Sequence, residues 1–136
     1  MPLSLATFEK GHRFEPVGFD LSPDWVQAYV DAVEDQAIAR VGAYAPSMSL
    51  AALAMKALLE QCPLPSGSIH VGQEISFLRP VAIGERLNAR AEVLSRGERQ
   101  GWVIMAVRLS VLDATETAVM GGRATVTFPI DATVAA

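Results

Sequence analysis

Few residues in this sequence have side chains suited to chemistry. His12 and His70 are its two histidines and Cys62 its one cysteine. His70 stands in the run Ile69-His70-Val71-Gly72, in the parity opposite Ile69 and Val71. It reads either as a general base that reaches a cleft or as a structural histidine bonded to backbone or solvent. His12 has no companion motif and is given no role. Cys62 precedes Pro63 at the end of a helix candidate. It reads as a buried spacer thiol rather than a nucleophile, and a lone cysteine rules out an internal disulfide and fits a reducing compartment. No His/Cys/Asp/Glu cluster has metal-ligand spacing, and neither a Gly-x-Ser-x-Gly elbow nor a phosphate-cradling glycine loop occurs. Metal and nucleoside-triphosphate chemistry are therefore disfavoured.

The elements that must position these groups follow from period and punctuation. Gly11 to Leu21, broken by Pro16 and Gly18, reads as a first strand. Ser22-Pro23-Asp24 is a helix start: a hydroxyl to accept from a backbone N–H, a proline at the first helical position and an acid at the positive end of the dipole. Trp25, Val26, Tyr29, Val30 and Val33 then recur at helical spacing, which predicts an amphipathic helix from Pro23 to about Asp35. Gly42 and Pro46 break the stretch from Ala37 to Pro46 into a loop. The run from Ser47 to Glu60 is rich in helix formers and apolar nearly all round, so something must wrap it.

From Ser68 onward the period is two. Ile69, Val71, Ile75 and Phe77 form one alternating set, Leu87 to Val93 a second, Val103 to Val111 a third, and a last strand runs from about Ala118 to Phe128. Pro80 to Gly84, Arg96 to Gly101 and Asp113 to Thr117 supply the turns. Helices followed by consecutive antiparallel strands define an α+β domain, and the apolar helix has one destination, the concave face of a sheet that curls around it.

Whole-chain properties narrow the function classes. At 136 residues and 51% hydrophobic content the chain fits one domain, residues 1–136, with 1–10 and 131–136 expected as loose ends. A net charge of -4 gives no basic footprint for nucleic acid. Met1 to Lys10 does not read as a secretory signal, and the apolar stretch Leu50 to Leu59 is shorter than the roughly 20 residues of a membrane span. A soluble, cytoplasmic protein with no membrane contact is expected.

Two segments carry a family resemblance. Ala45-Pro46-Ser47-Met48-Ser49-Leu50-Ala51-Ala52-Leu53 and Ile69-His70-Val71-Gly72-Gln73-Glu74-Ile75-Ser76-Phe77-Leu78-Arg79-Pro80-Val81-Ala82-Ile83-Gly84-Glu85-Arg86-Leu87 resemble the MaoC-like hydratase/dehydratase family. The branch concerned includes the dehydratase regions of fatty-acid synthases and paired mycobacterial hydroxyacyl-carrier-protein dehydratase subunits. The resemblance spans roughly Ala32 to Phe128, and the Phe-Leu-Arg-Pro-Val-x-x-Gly-Glu segment is its most specific part. It implies a hot-dog fold, with the apolar helix as the sausage.

What the resemblance implies for chemistry is the hydration of a trans-2-enoyl thioester, or the reverse dehydration, by an Asp and a His that hold and deprotonate a water. The family motif Asp-x-Asn-Pro-x-His aligns with Asp35-Gln36-Ala37-Ile38-Ala39-Arg40. The aspartate is present; arginine stands in the histidine position. A guanidinium stays protonated and cannot serve as the base. Asp35 is then either a lone base or an acid paired with Arg40, and His70 is a replacement candidate. The backbone N–H of Ser47, at the start of the buried helix, matches the family's oxyanion element, and the same serine also reads as a plain N-cap. Arg40, Tyr44, Ala45, Met48 and Trp102 are expected at the substrate, with Arg79 either a solvated surface charge or a contact to a coenzyme A phosphate.

Three functions follow as expectations. One is an acyl-thioester-binding subunit, with coenzyme A or acyl-carrier protein as the carrier, no other cofactor, and catalysis weakened or completed by a partner; hot-dog resemblance implies a homodimer, or a heterodimer with a catalytic homologue. A second is an active hydratase using Asp35 or His70. The third is a thioesterase or a non-enzymatic interaction module on the same scaffold.

Overall fold

The computed structural model describes residues 5–34 and 43–131. The first strand, β1, is short, Val17–Asp20, because Glu15 and Pro16 leave the ladder; Arg13 bridges Glu92 just upstream. Helix α1 spans Pro23–Val33 and begins as expected, with the Ser22 hydroxyl accepting from Trp25 N–H at 3.2 Å. It stops earlier than the sequence pattern suggests, since Glu34 turns into the left-handed region at φ 57 and its N–H closes back on the carbonyls of Val30 and Asp31.

Helix α2 spans Ser47–Gln61, and four strands follow: β2 Ile69–Phe77, β3 Arg86–Arg99, β4 Trp102–Leu112 and β5 Ala118–Pro129. All pairings are antiparallel and the order across the sheet is β1-β3-β4-β5-β2. β3 runs through Arg96 to Arg99, a stretch the sequence assigns to a turn. The reversal itself takes only Gln100 and Gly101, both at positive φ (52° and 82°), the conformation whose twist suits a two-residue hairpin loop.

The sheet wraps α2 as expected. Leu50, Leu53, Ala54, Ala57 and Leu58 share one core with Leu87, Val93, Val107, Leu109 and Val126. Both edges of the sheet reach the helix: Gln61 exchanges hydrogen bonds with the backbone of Glu15 at one side, and His70 of β2 shares a small cavity with Met55 and Leu59 at the other. The wrapping is one-sided, for Met48 and Ala52 remain exposed and Met55 and Leu59 half-buried, an apolar stripe at helical spacing. The N-terminal stretch is anchored from Leu5 onward, not loose: Leu5 is buried in the core beside Cys62, and His12 stacks on Phe8, 4.1 Å between ring centroids.

At Gly122 of β5 the backbone of β2 lies close, since a Cβ built there runs into the Glu74 carbonyl. Gly122→Ala is expected to destabilise the protein by about 1–3 kcal/mol through overpacking. Urea unfolding checks this; Gly121→Ala, where a Cβ meets nothing within 4 Å, is the control.

Candidate functional site

The start of α2 is built by backbone pairing rather than by a side-chain cap. Ala45 N–H donates to the Val81 carbonyl at 2.9 Å, Ile83 N–H to the Ala43 carbonyl at 2.7 Å, and Tyr44 bridges Ala82. These bonds hold the segment before α2 against the turn that follows β2. The N-cap is Pro46, and Ser47 is already the first helical residue, so the reading of Ser47 as an N-cap does not hold. Proline offers no side-chain acceptor, and no side chain caps this helix start. Ser49 bonds backwards, its hydroxyl donating to the Pro46 carbonyl at 2.6 Å. The first-turn N–H groups of an α-helix have no partner inside the helix and carry its positive dipole end. Tyr44 and Met48 flank this end and are 56% and 53% exposed.

His70 faces a different way from its position in the sequence pattern. It pairs with Val126 while Gly72 pairs with Thr125, so Val71 is an extra residue in the strand. Cross-strand partners share a face. His70 therefore points with Val126 to the inner side, where Ile75 and Phe77 also point, opposite Gly122 and Met120. There it lines a cavity of about 50 Å3 with Met55, Leu58, Leu59 and Cys62. These residues lie in the C-terminal half of α2. At 1.5 Å per residue, Leu58 is about 16 Å along the axis from Ser47. His70 and Ser47 thus occupy opposite ends of one helix and do not meet within a chain.

Trp102 does not join Tyr44 and Met48. Its neighbour Val103 points into the core, and Trp102 shares the outward parity of Ile104 at the hairpin end of the sheet. Cys62 is 1% exposed, and burial pushes its thiol up to about 12, consistent with a spacer and not with a nucleophile. Among the described residues no group of His, Cys, Asp and Glu has the arrangement of a metal site. Asp35 and Arg40 lie outside the described residues.

No protein-family model matches the chain, and no curated protein matches it. Solved structures do. The unliganded R-hydratase PhaJ1 from Pseudomonas aeruginosa is 25% identical, covering 94% of this chain and 86% of its own, with TM-score 0.72. A MaoC-like dehydratase from Rhodospirillum rubrum is 22% identical over 93% and 97% of the two chains, TM-score 0.73. The HadBC 3R-hydroxyacyl-ACP dehydratase complex from Mycobacterium tuberculosis is 24% identical over 91% and 100%, TM-score 0.70. This is a hot-dog domain. Its structural neighbours are the MaoC-like dehydratases and R-hydratases to which the two sequence segments point.

In this hot-dog domain Arg79 is an exposed charge held by ion pairs. Its Nη1 donates to the Pro80 carbonyl and to Glu85, and its Nη2 to Glu85 at 2.8 Å and to Asp113 at 3.0 Å. The guanidinium clamps the turn after β2 to the β4–β5 turn. Within the latter, Asp113 accepts from the Thr115 hydroxyl at 2.7 Å and from the N–H groups of Thr115 and Thr117. The Thr115 hydroxyl, the Thr117 N–H and Arg79, in that order, hold the Asp113 carboxyl well below the usual range. Arg79 also lowers the Glu85 carboxyl, against the opposing effect of burial.

A carboxylate whose folded pKa is depressed contributes stability above its unfolded value, about 4, and loses that contribution as pH falls towards the folded value. The hot-dog domain is therefore expected to lose stability below about pH 4. In Asp113→Asn, which removes one titrating acid, the drop between pH 7 and pH 3 in urea midpoint is expected to be smaller. An unchanged drop would exclude Asp113 from the acid response.

Among the described residues no helix is long and apolar enough to cross a membrane.

Proposed function

We propose that this chain binds acyl thioesters of coenzyme A or acyl-carrier protein, and that it is of the enoyl-thioester hydratase or 3-hydroxyacyl-thioester dehydratase type. The observation that carries the reading is the start of α2: a helix end with a proline N-cap, open beside Tyr44 and Met48, on a chain whose structural neighbours include an R-hydratase. When water adds to C3 of a trans-2-enoyl thioester, the displaced electron pair moves onto the thioester oxygen. Backbone N–H donors at Ser47, with the dipole behind them, are suited to that developing charge. The water proton goes to a base, which returns it to C2 to complete the hydrated product.

That base is the incomplete part. The resemblance supplies Asp35 and puts Arg40 where a histidine is expected, and a guanidinium accepts no proton. Asp35, His70 or a residue of a partner chain remains. We propose edge-to-edge pairing with a second hot-dog chain, a copy or a catalytic homologue, which is supported by β2: among the described residues no strand lies on its outer side, and every residue of it but Ile75 is exposed. HadBC, a structural neighbour, is itself a complex. Ala45, Met48 and Tyr44 are proposed to line the acyl site. Arg40 is proposed as a second substrate contact, whereas Arg79 and Trp102 are left to the clamp and the outer face.

Crotonyl-CoA hydration by the purified chain tests the reading. Ser47→Pro removes the backbone N–H that the mechanism uses, at a first helical position where proline is tolerated, and Pro46 already has the extended backbone, φ -57 and ψ 132, that precedes a proline well. It is expected to lower kcat/KM on the order of 100-fold with little change in Tm. Asp35→Asn and His70→Ala then identify the base. Binding without turnover would leave a thioester-binding subunit; neither turnover nor binding by calorimetry would overturn the reading.

A further inference from the structure

We infer that His70 serves as the proton acceptor of the neighbouring chain's site, in a two-fold dimer formed along β2. The inference rests on the hydratase/dehydratase reading and says where its missing base comes from.

Within one chain His70 is at the wrong end. It sits against the C-terminal half of α2, about 16 Å of helix axis from Ser47. The start of α2 is stitched to residues 81–83, which follow the other end of β2, at Phe77. An antiparallel two-fold partner reverses that relation. When two copies of the nine-residue β2 lie side by side over most of their length, the start of each strand meets the end of the other. Facing residues in such a pair must share a parity, and the inward residues of β2 are His70, Gln73, Ile75 and Phe77. The extra residue Val71 is what puts His70 in this inward set. Opposite the partner's His70 in that overlap stand Ile75 and Phe77, at the Ser47 end of the helix.

Three properties of β2 argue that a second copy covers it. Apart from the bulge at Val71, the strand carries few of the devices that protect a free edge: it has no lysine and no proline, and its one acid, Glu74, is paired with Arg123 at 3.4 Å. Ile69 and Val71 are 52% and 59% exposed on it. The stripe Met48, Ala52, Met55 and Leu59 of α2, exposed near its start and half-buried further along, lies on the same open side, where Met55 and Leu59 line one cavity with His70, so edge and stripe adjoin. An imidazole can take the proton that water releases as its oxygen bonds to C3, and can return it to C2. The thioester oxygen meanwhile holds the electron pair at the other chain's Ser47 N–H.

Mixed dimers decide the matter. His70→Ala and Ser47→Pro are expected to be nearly inactive alone, with His70→Gln as a less disruptive substitute should the alanine variant unfold. Co-expressed under different tags and purified through both, the mixed dimer holds one doubly damaged site. Its other site is intact, with Ser47 from one chain and His70 from the other, so roughly half of the wild-type activity per dimer should return. A purified mixed dimer as inactive as its parents would place both groups in one chain and overturn the inference. So would full activity of folded His70→Ala, or a monomer in sedimentation. In those cases a wild-type chain that still hydrates crotonyl-CoA keeps the hydratase reading, whereas an inactive wild type removes both.

Discussion

The burial of α2 governs this fold. Leu50, Leu53 and Leu58 are almost fully covered, and burying each is worth roughly 1.5–3 kcal/mol relative to leaving it in water. A flat sheet covers only one side of a helix with so little polar surface. The strands must curl far enough that Glu15 bonds Gln61 at one edge and His70 meets Leu59 at the other. Once that happens, the position of everything else is set. The helix start projects at the end where β2 leaves the sheet, and its C-terminal half closes against Cys62, Leu5 and the inward face of β5.

A single inserted residue then decides what β2 presents. With Val71 in the ladder as an ordinary member, Ile69 and His70 would swap faces, and the imidazole would lie outside with Glu74. With Val71 bulged, His70 turns inward and Ile69 outward. Gly122 belongs to the same arrangement, because β2 crosses so close to β5 at Glu74 that no side chain fits. The bulge and the glycine lie a few residues apart along one strand pair, and together they set the height and facing of the inner edge.

Local signals were readable from the residues alone. Ser22 capping α1, the period change after Ser68, the Pro80–Gly84 and Asp113–Thr117 turns and the wrapped helix all follow from neighbours in the chain. Features requiring a partner strand were not. Nothing about a valine announces a bulge, so alternation alone puts His70 on the face opposite Ile75 and Phe77, which it in fact shares. The outer end of β3 lacks an alternating apolar set, so Arg96 to Arg99 reads as part of a turn. Arg79 gave no sign of its clamp because Asp113 is distant in sequence, and Trp102 could be placed only once Val103 was known to point inward. The start of α2 is legible as a helix end, but Pro46 rather than Ser47 occupies the N-cap position.

Two local rules are broken on the same side of the molecule. A Ser, Thr, Asp or Asn at position 46 would stabilise the helix start by about 0.5–2 kcal/mol over a residue that cannot cap, and this chain has proline. A lysine or proline in β2 would protect the free edge, and it has neither. A chain stabilised only as a monomer gains nothing from either departure. Both make sense if the helix start that no side chain caps, and the edge that no strand among the described residues covers, are wanted by something else: the first by an anionic oxygen, the second by another strand. Violations that coincide in space are the pattern expected where stability has yielded to function. Arg40, at the position where the sequence resemblance expects a histidine, fits the proposed account, since a site assembled across an interface can take its imidazole from the strand that forms the interface.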